Sequence, residues 1–148
     1  MTNNTPARFE FFSDDLELRL DLTVPADVRE IDGVVTQVLA VGNEMQCGDG
    51  WEFEIETALR EALANAVVHG AKGDPSKQIQ IAVACDATRG MLIVVRDPGG
   101  GFNPESVPSP TQGQNLYRSH GRGIYLINEL MDEVRFERNG AEIWMRKH

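Results

Sequence analysis

Leu16, Leu18, Leu20 and Leu22 alternate with Glu17, Arg19 and Asp21, a period of two that predicts a half-buried strand. After Pro25 the spacing changes. Val28, Ile31, Val35, Val38 and Leu39 recur at helical intervals, and Gly42 is placed to end that helix in a left-handed cap. Residues 43–50 read as a loop, and a second helix runs from about Trp51 to Val68, stopping at His69-Gly70. Ile79, Ile81, Val83 and Cys85 alternate again, whereas Met91 to Val95 is an unbroken apolar run, as in a strand buried on both faces. Residues 98–120 hold four prolines and four glycines and no period; such a stretch inside a compact domain suits a functional lid or a disordered segment. A third helix carries Ile124, Ile127, Leu130, Met131 and Val134 on one side, and Asn139-Gly140 marks a hairpin between strands over 134–138 and 141–146. Residues 1–14 read as a loose arm whose phenylalanines Phe9, Phe11 and Phe12 suit docking, and residues 15–148 as one domain. The order strand, helix, helix, strand, strand, lid, helix, strand, strand predicts an α/β two-layer sandwich, a mixed, mainly antiparallel five-stranded sheet with three helices on one face.

Composition narrows the class. At 148 residues, 41% hydrophobic and 25% charged, the chain is long enough to bury a core without a metal or disulfide staple. Its 14 Lys+Arg against 23 Asp+Glu give a net charge of −9, a field that repels a phosphate backbone and argues against direct nucleic-acid binding. No apolar stretch approaches the ~18–20 residues of a membrane span. The polar start Met1 to Ala7 lacks the pattern of a signal peptide, so a cytoplasmic protein is expected, with Cys47 and Cys85 as reduced thiols.

Three places carry chemistry. On the second helix Ile55, Leu59, Ala62, Leu63, Ala66 and Val67 fall on one arc and should face the sheet. Glu61 and Asn65, four apart, stack at the shoulder of that arc, and His69 continues their stripe. A half-shielded carboxylate can act as a general base, and an amide oxygen is a hard ligand for Mg²⁺; a solvated helix face ending in a capping or core histidine has the same spacing. Asp97-Pro98-Gly99-Gly100-Gly101-Phe102 follows the buried strand, so a rigidly held carboxylate could accept from an exocyclic amine while glycines let the backbone approach a ring; a plain turn is the alternative. Gly121-Arg122-Gly123-Ile124 opens the third helix, where free N–H groups and a partial positive charge suit a phosphate, with Arg118 and His120 beside them. A surface charge cluster would also explain it.

Taken in order, Glu61-Ala-Leu-Ala-Asn65-Ala-Val-Val-His69-Gly70, Asp97-x-Gly99-x-Gly101-Phe102 and Gly121-x-Gly123-Ile124 resemble the three nucleotide boxes of the gyrase, histidine-kinase and mismatch-repair ATPase superfamily. Leu130-Met131-Asp132-Glu133-Val134 narrows the resemblance to its anti-sigma factor serine/threonine kinase branch, over roughly residues 16–147. The resemblance implies the histidine-kinase-like ATPase fold, with ATP and Mg²⁺ as cofactors. It implies that Glu61 polarises the attacking hydroxyl, that Asn65 ligates Mg²⁺, that Asp97 binds the adenine amine with Gly99 and Gly101 closing over the base, and that Gly121 and Gly123 cradle the phosphates. Arg118 and Arg122 are assigned to charge neutralisation, and His69, Phe102, His120 and Ile124 complete the expected ATP-binding set. Two positions depart from the family pattern. Ala141 stands where many relatives have Thr or Ser, leaving either a lower affinity or a water in the hydroxyl's place, and Asn103 replaces a common aspartate. The implied activity is phosphorylation of a serine or threonine on an antagonist protein by a homodimer that also holds a sigma factor; residues 103–120 would close over ATP and reopen with ADP. A module that binds ATP and switches partners without phosphoryl transfer fits the same residues. The catalytic half of a histidine kinase does not, because no long dimerisation helix with a phosphoacceptor histidine precedes the domain.

Overall fold

A computed structural model describes residues 17–86, 89–99 and 119–148. The arm expected over residues 1–14 and most of the expected lid lie outside them. Strand β1 (Glu17–Pro25) leads through a short turn over Val28–Glu30, capped by the Asp27 carboxylate accepting from Arg29 N, into α1 (Ile31–Met45). Then come α2 (Glu52–Asn65), β2 (Gln78–Asp86), β3 (Gly90–Arg96), α3 (Ser119–Leu130), β4 (Glu133–Glu137) and β5 (Glu142–Lys147). The element order is the expected one. The sheet runs β1-β2-β3-β5-β4, and every pairing in it is antiparallel, where a mixed sheet had been allowed for.

The helices lie on one side of this sheet. Ile55, Leu59, Ala62, Leu63, Ala66 and Val67, the arc read from the sequence, are all buried against Ile79, Ile81 and Val83 of β2, Met91, Ile93 and Val95 of β3, and Ile143 and Met145 of β5. Ala58, which that arc omitted, is buried with them. These are alternate residues of each strand, so one pleat face supplies the whole sheet side of the core.

Three local expectations are corrected. The leucine alternation in β1 does not stay on one face: the register shifts between Leu18 and Leu20, so Leu18 pairs with Ala84 on the side away from the helices while Leu20 and Leu22 pack on the core. Helix α1 runs through Gly42 to Met45 and ends on Gln46 in the left-handed region (φ 59°). Gly42 is there for space: a Cβ on it would lie 2.7 Å from the Met91 side chain and 2.9 Å from the Cys47 carbonyl. Finally, Cys47 and Cys85 are joined in a disulfide, Cα–Cα 6.1 Å, rather than held as separate thiols. The loop after α1 folds back under the helix and sets Cys47 against the end of β2, a contact across 38 residues that local pattern does not encode.

Candidate functional site

A cavity of about 140 Å³ opens between α2, α3 and the β3–β5–β4 part of the sheet. One wall is the end of α2, contributing Ala62, Asn65, Ala66, His69 and Gly70. The floor is Val95, Asp97, Ala141 and Ile143, and Ile124 of α3 and Phe136 of β4 close the far side. Apolar faces with a few convergent polar groups suit a flat heterocycle.

The α2 wall is not a plain helix. After Asn65 the backbone widens into a π turn over Ala66–Gly70, with Ala71 N donating to Ala66 O (2.8 Å) and Gly73 N to Val67 O (2.8 Å). Such wide turns add a residue per turn and often sit at functional sites. Here the turn presents His69 and Gly70 to the same cavity as Asn65 while Val67 stays buried. Partial burial of the imidazole, with the nearby Lys72 charge adding to it, lowers the His69 pKa and favours the neutral ring.

Asp97 sits just past the end of β3, 8% exposed, and its N–H donates to Ala141 O across the sheet (2.8 Å). Burial raises its carboxyl pKa; the Gly99 N–H donating to Oδ1 (2.7 Å) and the charge of Arg138 pull the other way. A buried carboxylate with an oxygen facing a cavity is a strong acceptor for an amine. Its seat depends on two missing side chains. A Cβ on Gly70 would collide with the Asp97 carboxyl group, and one on Gly99 would collide with the Gly70 carbonyl.

Glu61 and Asn65 meet α3 at Gly123. A Cβ there would stand 2.7 Å from Glu61 Oε1 and 3.7 Å from Asn65 Nδ2, so the glycine lets α3 lie directly on the acid–amide pair. Asn65 Nδ2 is buried and has no hydrogen-bond partner among the described residues, which marks a polar group aimed at something the protein does not supply. Turning the amide would present its oxygen instead, as a Mg²⁺ ligand requires. No group of three or more His, Cys, Asp or Glu able to hold a metal occurs among the described residues, so a Mg²⁺ here would take Asn65 as its protein ligand beside phosphate oxygens and water. The amide fits that role.

The structure thus brings Asn65, His69, Asp97 and Ile124 to one cavity and packs Gly99 behind Asp97. Glu61 and Gly123 adjoin it without lining it, and Arg122 is exposed on the first turn of α3. His120 and Gly121 belong to that same turn, where backbone N–H groups are free of helix partners. Gly101, Phe102 and Arg118, with Asn103, lie outside the described residues. The sequence reading missed Gly70, Phe136 and Ile143. Phe136 and Ile143 are paired across β4 and β5, and only the pairing of β5 with β3 brings them to Asp97. Gly70 was read as the helix stop and as the last residue of the first nucleotide box, without a role of its own in the site.

Residues 24–147 match the family model described as the histidine kinase-like ATPase domain. Among curated proteins, the chain is 31% identical over 101 residues to an anti-sigma F factor of Priestia megaterium, which covers 64% of this chain and 68% of the relative. It is 34% identical over 101 residues to that of Bacillus cytotoxicus, with the same shares covered. To that of Anoxybacillus flavithermus it is 37% identical over 84 residues, 55% of this chain and 56% of the relative.

Proposed function

The chain belongs to the histidine kinase-like ATPase domain family, with anti-sigma F factors among its relatives, and on that premise we propose that it is an ATP-dependent anti-sigma factor that phosphorylates a serine or threonine of an antagonist protein. The observation that carries this reading is the single cavity holding a buried carboxylate at its floor and an unpartnered amide on its wall, with the carboxylate of Glu61 one turn away beneath α3.

In this reading Asp97 accepts from the adenine amine, with Ile124, Val95 and Ile143 against the ring. The first turn of α3 meets the phosphates with its N–H groups and with Arg122, local donors that a chain of net charge −9 needs in order to hold a triphosphate. Asn65 holds Mg²⁺, which neutralises phosphate charge when bound. Glu61 takes the proton of the incoming hydroxyl as its oxygen bonds to the γ-phosphorus; the bond to the β–γ bridging oxygen breaks, and ADP leaves with that electron pair. The sigma factor, the antagonist, a homodimeric state and a cytoplasmic location follow from the kinship and belong to the same proposal; among the described residues, no helix is long and apolar enough to cross a membrane.

Calorimetric titration of ATP and of ADP in millimolar Mg²⁺ tests the pocket; absence of heat for both nucleotides refutes it. γ-Labelled ATP with a candidate antagonist then tests the transfer. Glu61→Gln is expected to keep nucleotide binding and lose transfer by at least 10²-fold, in the range of a removed general base. Unchanged transfer would refute the assignment of Glu61. Binding without transfer in the unaltered protein would establish the partner-switching module instead.

A further inference from the structure

The face of the sheet turned away from the helices is apolar and buried at Ala82, Ala84, Leu92, Val94 and Trp144. Towards the end of β3 the same pleat face turns polar. Gln78 and Gln80 of β2 and Arg96 of β3 alternate with the core residues Ile79, Ile81 and Val95, so they stand on the outer side, and Gln80 pairs with Arg96. Together with Lys77 before β2, Arg138 between β4 and β5, and Asp97, they line an open groove of about 380 Å³. Three cations thus meet at one concavity of a chain whose net charge is −9. The carboxylates around it are engaged. Glu142 accepts from Arg96 Nε (2.5 Å) and, through its other oxygen, from Trp144 Nε1 (2.5 Å). Glu137 is paired with Arg135 (3.7 Å), and Asp74 accepts from the backbone N–H and the hydroxyl of Ser76. Asp97 accepts from Gly99 N–H and lines the nucleotide cavity as well as the groove.

We propose that this groove is a second ligand site, which binds the phosphate group of a phosphomonoester or of inorganic phosphate. The Arg96 side chain is 15% exposed, and its terminal nitrogens Nη1 and Nη2 donate to no acceptor among the described residues. A guanidinium held at Nε by a buried carboxylate keeps its outer fork preorganised for two oxygens of an incoming anion. Lys77 and Arg138 are exposed and form no ion pair among the described residues, although the Arg138 charge is felt at Asp97 and that of Lys77 at Asp74. A carboxylate has two oxygens, which the Arg96 fork alone would fill. A phosphomonoester has three, leaving one for Lys77 and Arg138. The amides of Gln78 and Gln80 border the same groove and suit the polar remainder of the ligand. The site lies on the outer pleat face, apart from the first turn of α3 where the proposed function places the triphosphate, and it does not depend on that reading.

The test is made on the intact protein without nucleotide. Inorganic phosphate is titrated in place of chloride at constant ionic strength, and the nuclear magnetic resonance signals of Arg96 Nε–H and of the Gln80 side-chain amide are followed. Saturable shifts are expected. Lys77→Ala and Arg138→Ala should each weaken phosphate binding at least about fivefold, the size of one lost hydrogen bond to a charged group at a solvated position. Arg122→Ala, on the first turn of α3, should leave the response of these two signals unchanged. A short phosphoserine peptide that binds more tightly than inorganic phosphate assigns the ester as the ligand, and the opposite order assigns the free ion; both uphold the site. Shifts that do not saturate, that persist at the parent's affinity in a folded Lys77→Ala, Arg138→Ala double variant, or that disappear in Arg122→Ala overturn it. Calorimetry with ATP and ADP reports on the other cavity, so the two proposals fail separately.

Discussion

Asp97 shows what a buried carboxyl costs the fold. Its carboxyl pKa is raised by burial, so the folded state binds the proton more tightly than the unfolded chain does. The stability associated with this group is therefore fully present below the ordinary carboxylate pKa and is lost as pH rises through the raised folded value. Asp97→Asn keeps an oxygen that can accept from Gly99 N–H and removes the buried charge. In differential scanning calorimetry without nucleotide, the variant is expected to gain on the parent at pH 7.5 and to lose that advantage below about pH 4, near the unperturbed carboxylate pKa. Its ATP and ADP affinity should fall roughly ten- to hundredfold, the size of a lost hydrogen bond to a charged group. Equal affinity would remove Asp97 from the adenine site. The position of this carboxyl at the end of a buried strand was legible in the sequence, because Asp97 follows the unbroken apolar run Met91 to Val95 with only Arg96 between. Its burial was not, since the walls around it come from Gly70 and Ala141, 27 residues before it and 44 after it.

At the scale of elements, the site depends on how closely α3 lies on α2. Gly123 is the contact, and Gly123→Ala puts a methyl group 2.7 Å from Glu61 Oε1, where either the carboxylate turns aside or the helices part. Phosphoryl transfer is expected to drop at least tenfold with the fold retained, measured as initial rate and as far-ultraviolet circular dichroism. A rate equal to the parent's would show that this apposition is not needed. Element types and order were readable, because helices and strands here keep strong periods of 3.6 and 2. Details that break the period were not. The widened turn over Ala66–Gly70, the outward flip of Leu18 and the passage of α1 through Gly42 all answer to a neighbour: a cavity, the β2 register and the Met91 side chain.

For the whole molecule, the disulfide joins the loop between α1 and α2 to the far end of β2, whereas Asp97 follows the other end of β3. Closing a loop across 38 residues contributes about 2–4 kcal/mol in the chain-entropy account. Full reduction, or the pair Cys47→Ala and Cys85→Ala, should therefore lower Tm by several degrees while changing ATP affinity less than twofold; an unchanged Tm would show the bond to be without weight in the fold. The sequence by itself determined the two-layer architecture, the helix face that packs on the sheet and the three clusters of polar and glycine residues, because each is written in spacing over a few turns or strand residues. Tertiary structure alone decided the antiparallel register throughout, the union of the cysteines, the cavity floor from β5 and the burial of the outer sheet face. Those depend on which distant segments meet, and the free energy of such contacts is shared between partners that no local window contains.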